Sequence, residues 1–190
     1  MSVRPRIQPG SAAHYFLQSP TIAPGRMLTS MPFVRRLLLP LAMLIALSAR
    51  AASVGDRITW SDITLIDGRV LRASELRGRT VVVEFWATWC PFCAAQNPHL
   101  QKLHGQHGGK GLVVLTFSID KDVEPVRKYM AERNYTFPVA MAGPQSDAWF
   151  GRRKALPEVY VVDASGRIVF RELGEMFPED IAALARFASK

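Results

Sequence analysis

Only two of the 190 residues are cysteine, too few for the disulfide framework on which small exported domains commonly depend. A hydrophobic run of the roughly 20 residues that cross a bilayer as a helix is also missing. The apolar stretch from Leu37 to Ala49 is shorter and is interrupted by Pro40. Acidic residues are absent from the N-terminal part of the chain: all 16 lie at or after Asp56, whereas six of the 24 Lys and Arg (Arg4, Arg6, Arg26, Arg35, Arg36 and Arg50) precede it. The remainder, with 18 basic against 16 acidic residues, carries +2 of the formal +8. A charge placed in this way excludes a nucleic-acid footprint, because a basic face would have to survive in the folded part. Internal repeats and low-complexity linkers are lacking as well.

What the N-terminal segment does contain is a basic pair, Arg35-Arg36, then the apolar run Leu37–Ala49, then Ala49-Arg50-Ala51. A basic start, a short apolar stretch and small residues are the three parts of a secretory signal, and cleavage after Ala51 is the expectation. Retention of the segment would leave the same domain tethered to a membrane. Residues 1–30, with Pro5, Pro9, Pro20 and Pro24, show little periodicity and read as a disordered extension or as an over-extended reading frame, for which Met27 or Met31 would be a cleaner start. The expected division is therefore an extension plus signal over residues 1–51 and one folded domain over 52–190, exported to the periplasm.

Within that domain, Ile63, Leu65, Val70 and Leu71 flank Asp67-Gly68, a hairpin turn dipeptide. A short helical turn at Ser74-Glu75-Leu76 follows. Thr80 to Trp86 is a near-continuous β-branched and aromatic run, the mark of a central strand covered on both faces. A helix is expected from Pro91 to about His107, closed by Gly108-Gly109, with a kink expected at Pro98. Leu112–Ile119 reads as a second buried strand, and Asp122 with Pro125 opens a helix reaching Arg133. Then come a brief strand at 137–139, a helix over 145–150, two strands (158–162 and 167–172) joined by Asp163-Ala164-Ser165-Gly166, and a last helix from Pro178 to Ala188. This order gives an α/β fold: a central mixed sheet flanked by helices, preceded by a β-hairpin extension.

Cys90 and Cys93 stand where the Thr80–Trp86 strand passes into its helix. Two cysteines in an exported chain suggest a structural bridge, but a loop closed over two intervening residues stabilises a fold little. A bridge of that kind is readily reduced and re-formed. Thiol chemistry needs a thiolate, and at Cys90 the unpaired N–H groups and the positive end of the helix dipole supply the field that favours one. Pro91 suits the first helical position. Cys93 lies one turn deeper on the same side, placed to resolve a mixed disulfide formed at Cys90, which is expected to be the exposed thiol.

The string Val83-Glu84-Phe85-Trp86-Ala87-Thr88-Trp89-Cys90-Pro91-Phe92-Cys93 resembles the active-site strand and helix of the thioredoxin superfamily. The hairpin-first layout and exported context resemble its TlpA/ResA-like (CcmG-like) branch, over about residues 54–188. The resemblance implies a thioredoxin-like fold and thiol–disulfide exchange with protein thiols and disulfides, without a cofactor or metal. Partners implied are apocytochrome c, copper-site proteins or other exported proteins, with a membrane thiol reductase as electron donor. Residue by residue, Glu84 stands where the superfamily has a buried carboxylate that takes a proton from the second cysteine. On a covered strand its pKa should be raised. Leu156-Pro157 falls where the family has a cis-proline facing the cysteine pair, shaping a surface for a substrate strand. Trp89, Pro91 and Phe92 complete the expected docking surface, with Trp89 as an exposed wall.

Three features depart from the branch's reductant pattern: the Pro91-Phe92 dipeptide, Glu158 after the proline, and Arg152-Arg153-Lys154 before it, read as a solvated basic run on the rim near Cys90, with lowering of the thiolate pKa or steering of an acidic partner as the alternative. Reduction is the favoured direction, with a DsbA-like oxidase as the alternative. A Cu(I) metallochaperone holding copper between two soft thiolates is the alternative from another class. His99, His104 and His107 read as exposed helix histidines, and Trp60 and Trp149 as packing aromatics.

Overall fold

The structure is a computed structural model and describes residues 51–188. The apolar segment 37–49 and the extension before it lie outside the described residues. Among those described, no helix is long and apolar enough to cross a membrane.

A two-stranded antiparallel hairpin opens the fold, with β1 (Ile63–Thr64) paired to β2 (Val70–Leu71), Ile63 opposite Leu71. Its turn is held by Asp67, whose carboxylate accepts the Arg69 guanidinium at 2.7 Å, and by Gly68 at φ +85°. A short helix, α1 (Ala73–Leu76), leads into β3 (Thr80–Trp86), which feeds α2 (Pro91–His107) and β4 (Leu112–Ser118). Then follow α3 (Val123–Glu132), β5 (Val139–Met141), α4 (Pro144–Phe150), β6 (Glu158–Val162), β7 (Ile168–Leu173), α5 (Pro178–Ala183) and a 3₁₀ turn (Leu184–Phe187).

The main sheet has the order β5-β4-β3-β6-β7. β3 runs parallel to β4 and antiparallel to β6, so it is the central strand. Its seven residues are all buried, as its unbroken apolar run demands. The crossovers β3-α2-β4 and β4-α3-β5 step in the same direction along the sheet, and right-handed connections place both helices on one face. There α2, α3 and α5 cover Val82, Trp86, Val114 and Val159. The hairpin, α1 and α4 cover the opposite face, where Val81, Val83, Phe85 and Tyr160 meet Ile63, Leu76 and Phe150. Trp60 belongs to this second core, and Trp149 packs edge-on against it at 5.2 Å.

The Asp163–Gly166 turn requires glycine at its end. Gly166 has φ +80°, and a Cβ there would lie 2.8 Å from the Ile58 carbonyl, which is the close approach that ties the chain before the hairpin to the β6–β7 connection.

Three expectations need correction. The brief strand begins at Val139 rather than at residue 137, because Pro138 has no N–H to give a ladder; Phe137 instead fills the core at 2% exposure. The final helix is α-helical only to Ala183, and its last turn tightens to 3₁₀. His99, His104 and His107 are half-buried rather than exposed. Gly108 caps α2, its N–H donating to the His104 carbonyl at 2.8 Å. Burial lowers the His104 pKa.

Candidate functional site: a disulfide at the mouth of a helix

β3 ends where α2 must begin, and the turn between them is pinned to the end of β4. Parallel pairing sets Trp86 beside Ser118, which brings Asp120 under the turn. Asp120 accepts from the Thr88 backbone N–H at 3.0 Å and the Thr88 hydroxyl at 2.6 Å, and from the Ser118 hydroxyl at 2.6 Å. Nothing local marks Asp120 in the sequence; only the β3–β4 register reveals its partner.

Cys90 is the N-cap of α2, with extended backbone, and its Sγ accepts the Cys93 N–H at 3.1 Å. Pro91 occupies the first helical position, where an N–H is not needed. Cys90 and Cys93 are joined as a disulfide, their Cα atoms 5.3 Å apart.

The expectation of an exposed Cys90 is corrected by the structure: in the disulfide it is 4% exposed and Cys93 is 0%. Its neighbours carry the exposure instead, Trp89 at 66% and Phe92 at 58%. Between them lies a groove of about 360 Å³ whose lining includes Trp89, Cys90, Phe92, Ile119 and Leu156. Cys90 opens onto this groove and Cys93 does not. Pro91 also lines it, whereas Pro157 is buried and does not. The Leu156–Pro157 peptide bond is cis, and the Pro157 carbonyl accepts the Gly174 N–H at 2.8 Å.

Arg152-Arg153-Lys154 is not a uniformly solvated run. Arg152 and Lys154 are exposed, but the Arg153 side chain is 9% exposed. Its guanidinium sits 3.7 Å from the centre of the Phe85 ring and 3.4 Å from Glu158 Oε2. Glu158, fully buried, also accepts from Arg171 at 2.8 Å and from the Tyr160 hydroxyl at 2.6 Å. Burial, with that hydrogen bond, pushes the Tyr160 hydroxyl up to about 12. The residue after Pro157 is thus the acidic centre of a buried charge cluster, which explains how a carboxylate is tolerated there.

Glu84 lies on the α2 face of β3, alternating with Val82 and Trp86. It is fully buried, and the Gln96 amide donates to its Oε1 at 2.7 Å. Burial pushes its pKa from 4.5 up to about 8, and the Gln96 hydrogen bond opposes that rise. The folded protein therefore keeps a proton on Glu84 over a range in which the unfolded chain has lost it. The sign follows: stability is fully present below the unfolded pKa of 4.5 and is lost as pH rises toward about 8. Denaturation of the oxidised protein should show this as a fall in stability of up to about 1.4 kcal/mol per pH unit through that range. Glu84→Gln should remove the fall; an identical slope in that variant would show that another group causes it.

The family model described as Redoxin matches residues 53–185. Among curated proteins, the thiol-disulfide oxidoreductase ResA of Bacillus thuringiensis (strain Al Hakam) is 25% identical over 119 residues, covering 63% of this chain and 69% of that protein. ResA of Oceanobacillus iheyensis is 30% identical over 105 residues, 54% of each chain. Among solved structures, a thiol:disulfide interchange protein of the thioredoxin family from Chlorobium tepidum TLS superposes with a TM-score of 0.65 at 23% identity, covering 74% of this chain and 100% of its own. A Chlorobium tepidum protein described as thiol:disulfide interchange protein DsbE gives 0.61 at 25% identity, covering 72% and 95%. The architecture is the thioredoxin-like fold expected from the sequence, with its N-terminal hairpin.

Proposed function

On the premise that the chain belongs to the Redoxin family, we propose that it is a thiol-disulfide oxidoreductase of the ResA type that reduces disulfides of exported proteins. The observation that carries this reading is the Cys90–Cys93 disulfide at the N-terminus of α2, reached from one side through an apolar groove walled by exposed Trp89 and Phe92.

In the reduced protein, the Cys90 thiolate attacks one sulfur of a substrate disulfide; the bond to Cys90 forms, and a substrate thiolate leaves and takes a proton. Cys93 then passes its proton to Glu84 and attacks Cys90 Sγ. The Cys90–Cys93 bond forms, the second substrate thiol leaves, and two electrons have moved from protein to substrate. With its pKa raised to about 8, Glu84 takes that proton in its ionised form, a minor fraction at pH 7 that grows as pH rises. Trp89, Phe92 and Leu156 supply apolar contact for the substrate chain, and the Leu156–Pro157 turn borders it. A dithiol reductant, such as a membrane thiol reductase, regenerates the thiols. The basic, acid-free segment with its apolar run at 37–49 supports export to the periplasm. Apocytochrome c and copper-site proteins are the substrate classes that this reading favours.

Direction and partner are tested together. Equilibration with glutathione should give a potential more reducing than about −220 mV, and the reduced protein should reduce insulin; a value near about −120 mV with no insulin reduction would assign an oxidase instead. Cys93→Ala, expressed with its own N-terminal segment, should accumulate mixed disulfides through Cys90 with exported proteins. Recovery of none, or of cytoplasmic proteins only, would remove the proposed setting.

A further inference from the structure

Gln96 is 1% exposed, and it sits three residues after Cys93, on the same side of α2. Both ends of its amide are engaged. Its Oε1 accepts the Met176 backbone N–H at 2.8 Å, and its Nε2 donates to Glu84 Oε1 at 2.7 Å. The orientation of a glutamine amide is ordinarily ambiguous, but here the partners decide it. A backbone N–H can only donate, so the amide oxygen must face Met176 and the amide nitrogen must face Glu84; the flipped arrangement would set N–H against N–H.

We propose that Gln96 is the positioning residue of the second half-reaction: it commits Glu84 Oε1 to accepting a hydrogen bond and so fixes Oε2 as the atom that takes the proton from Cys93. The inference rests on the reading of Glu84 as proton acceptor. Glu84 Oε2 is buried and has no hydrogen-bond partner among the described residues, which leaves it free to receive that proton. The flanking strands present Thr116 and Val159 at this level of β3. A titratable group coupled to it is Tyr135, whose ionisation the Glu84 charge opposes. The same amide also joins the proton acceptor to the segment after β7, whose Gly174 N–H binds the Pro157 carbonyl. Glu84 and the segment after β7 are thereby joined by one side chain.

The test is stopped-flow reaction of the reduced protein with dithionitrobenzoate. The first release of absorbing thiol reports attack by Cys90 and the second reports attack by Cys93, each followed against pH. Gln96→Met removes the donor that favours ionised Glu84. The inflection of the second phase should move up by about one pH unit, slowing that phase about tenfold at pH 7 while the first is unchanged. Gln96→Glu preserves volume and the acceptor for Met176 but sets a second carboxyl against Glu84, so its second phase should titrate in two separated steps. This variant carries the test if the methionine variant fails to fold. Uniform slowing at every pH, or an unshifted inflection in the folded variants, overturns the proposal. Glu84→Gln separates the two ideas. If it alters the second-phase profile while the Gln96 variants do not, Gln96 is merely structural; if it leaves the profile unchanged, the Glu84 reading itself fails.

Discussion

Replacing Cys90 with serine should abolish disulfide reduction, by roughly 10³-fold or more, the order expected when a covalent nucleophile is lost. The expectation comes from access. Cys90 lines the groove beside Trp89 and Phe92, whereas Cys93 is fully buried beneath it. A hydroxyl at position 90 remains protonated near neutrality, because the field of a helix N-terminus cannot bring an alcohol into the range where it ionises. Cys93→Ala should behave differently, retaining the first attack and losing the second. With an aromatic disulfide it should release one equivalent of thiol and stop as a stable mixed disulfide, which mass spectrometry of the intact protein would show on Cys90. The pair of variants makes the assignment directional. Release of one equivalent from Cys90→Ser at the wild-type first-phase rate, with the adduct on Cys93, would reverse the two roles.

The parts of this site that were legible in the sequence are those whose cause is local. A run of seven covered residues, Thr80–Trp86, announces a central strand because only such a strand can bury every side chain. Cysteines at a strand-to-helix junction, with Pro91 at the first helical position, mark where two side chains one turn apart can meet, and they are joined there as a disulfide. Glu84 stood out as one carboxylate in an apolar run, and its burial and raised pKa followed. What stayed hidden depends on contacts between distant parts of the chain. Asp120 binds Thr88 across 32 positions and Gln96 binds Met176 across 80, and neither residue type carries a local signature for that partner. The basic triplet does lie on the rim, where Arg153 and Lys154 line the groove with Cys90, but its solvation was hidden for the same reason. Arg153 reads as one of three solvated cations until β6 brings Glu158 against it and β3 offers the Phe85 ring. The exposure of Cys90 was misjudged because reactivity requires an open path to one sulfur and not a large exposed area, and the flanking aromatics supply the path.

Truncating Glu158 to alanine should destabilise the protein by about 3–5 kcal/mol, the cost expected when one partner of a buried charge cluster is removed. Its carboxylate is 1% exposed; Oε1 takes bonds from Arg171 at 2.8 and 3.1 Å and from Tyr160 at 2.6 Å, and Oε2 faces Arg153 at 3.4 Å. Without it, Arg153 would remain 9% exposed over Phe85 with no ion-pair partner in the cluster, and a guanidinium cannot escape by deprotonating. In thermal unfolding the loss should exceed about 10 °C for a domain of this size. Glu158→Gln, which keeps the shape and one acceptor but not the charge, should fall between wild type and alanine. The double variant Glu158→Ala with Arg153→Met should recover part of the loss, since it removes the stranded charge along with its partner. Recovery separates a charge effect from a packing effect, because a cavity left by the carboxylate would make the second change additive. A melting temperature within about 2 °C of wild type for Glu158→Ala would mean that water replaces the carboxylate at no cost. The expected result has a consequence for the site as well. Glu158 anchors the chain immediately after Pro157, and Leu156 lines the groove. Insulin reduction by the alanine variant, measured well below its melting temperature, should therefore be slower than wild type, and the arginine-to-methionine partner change should not restore it.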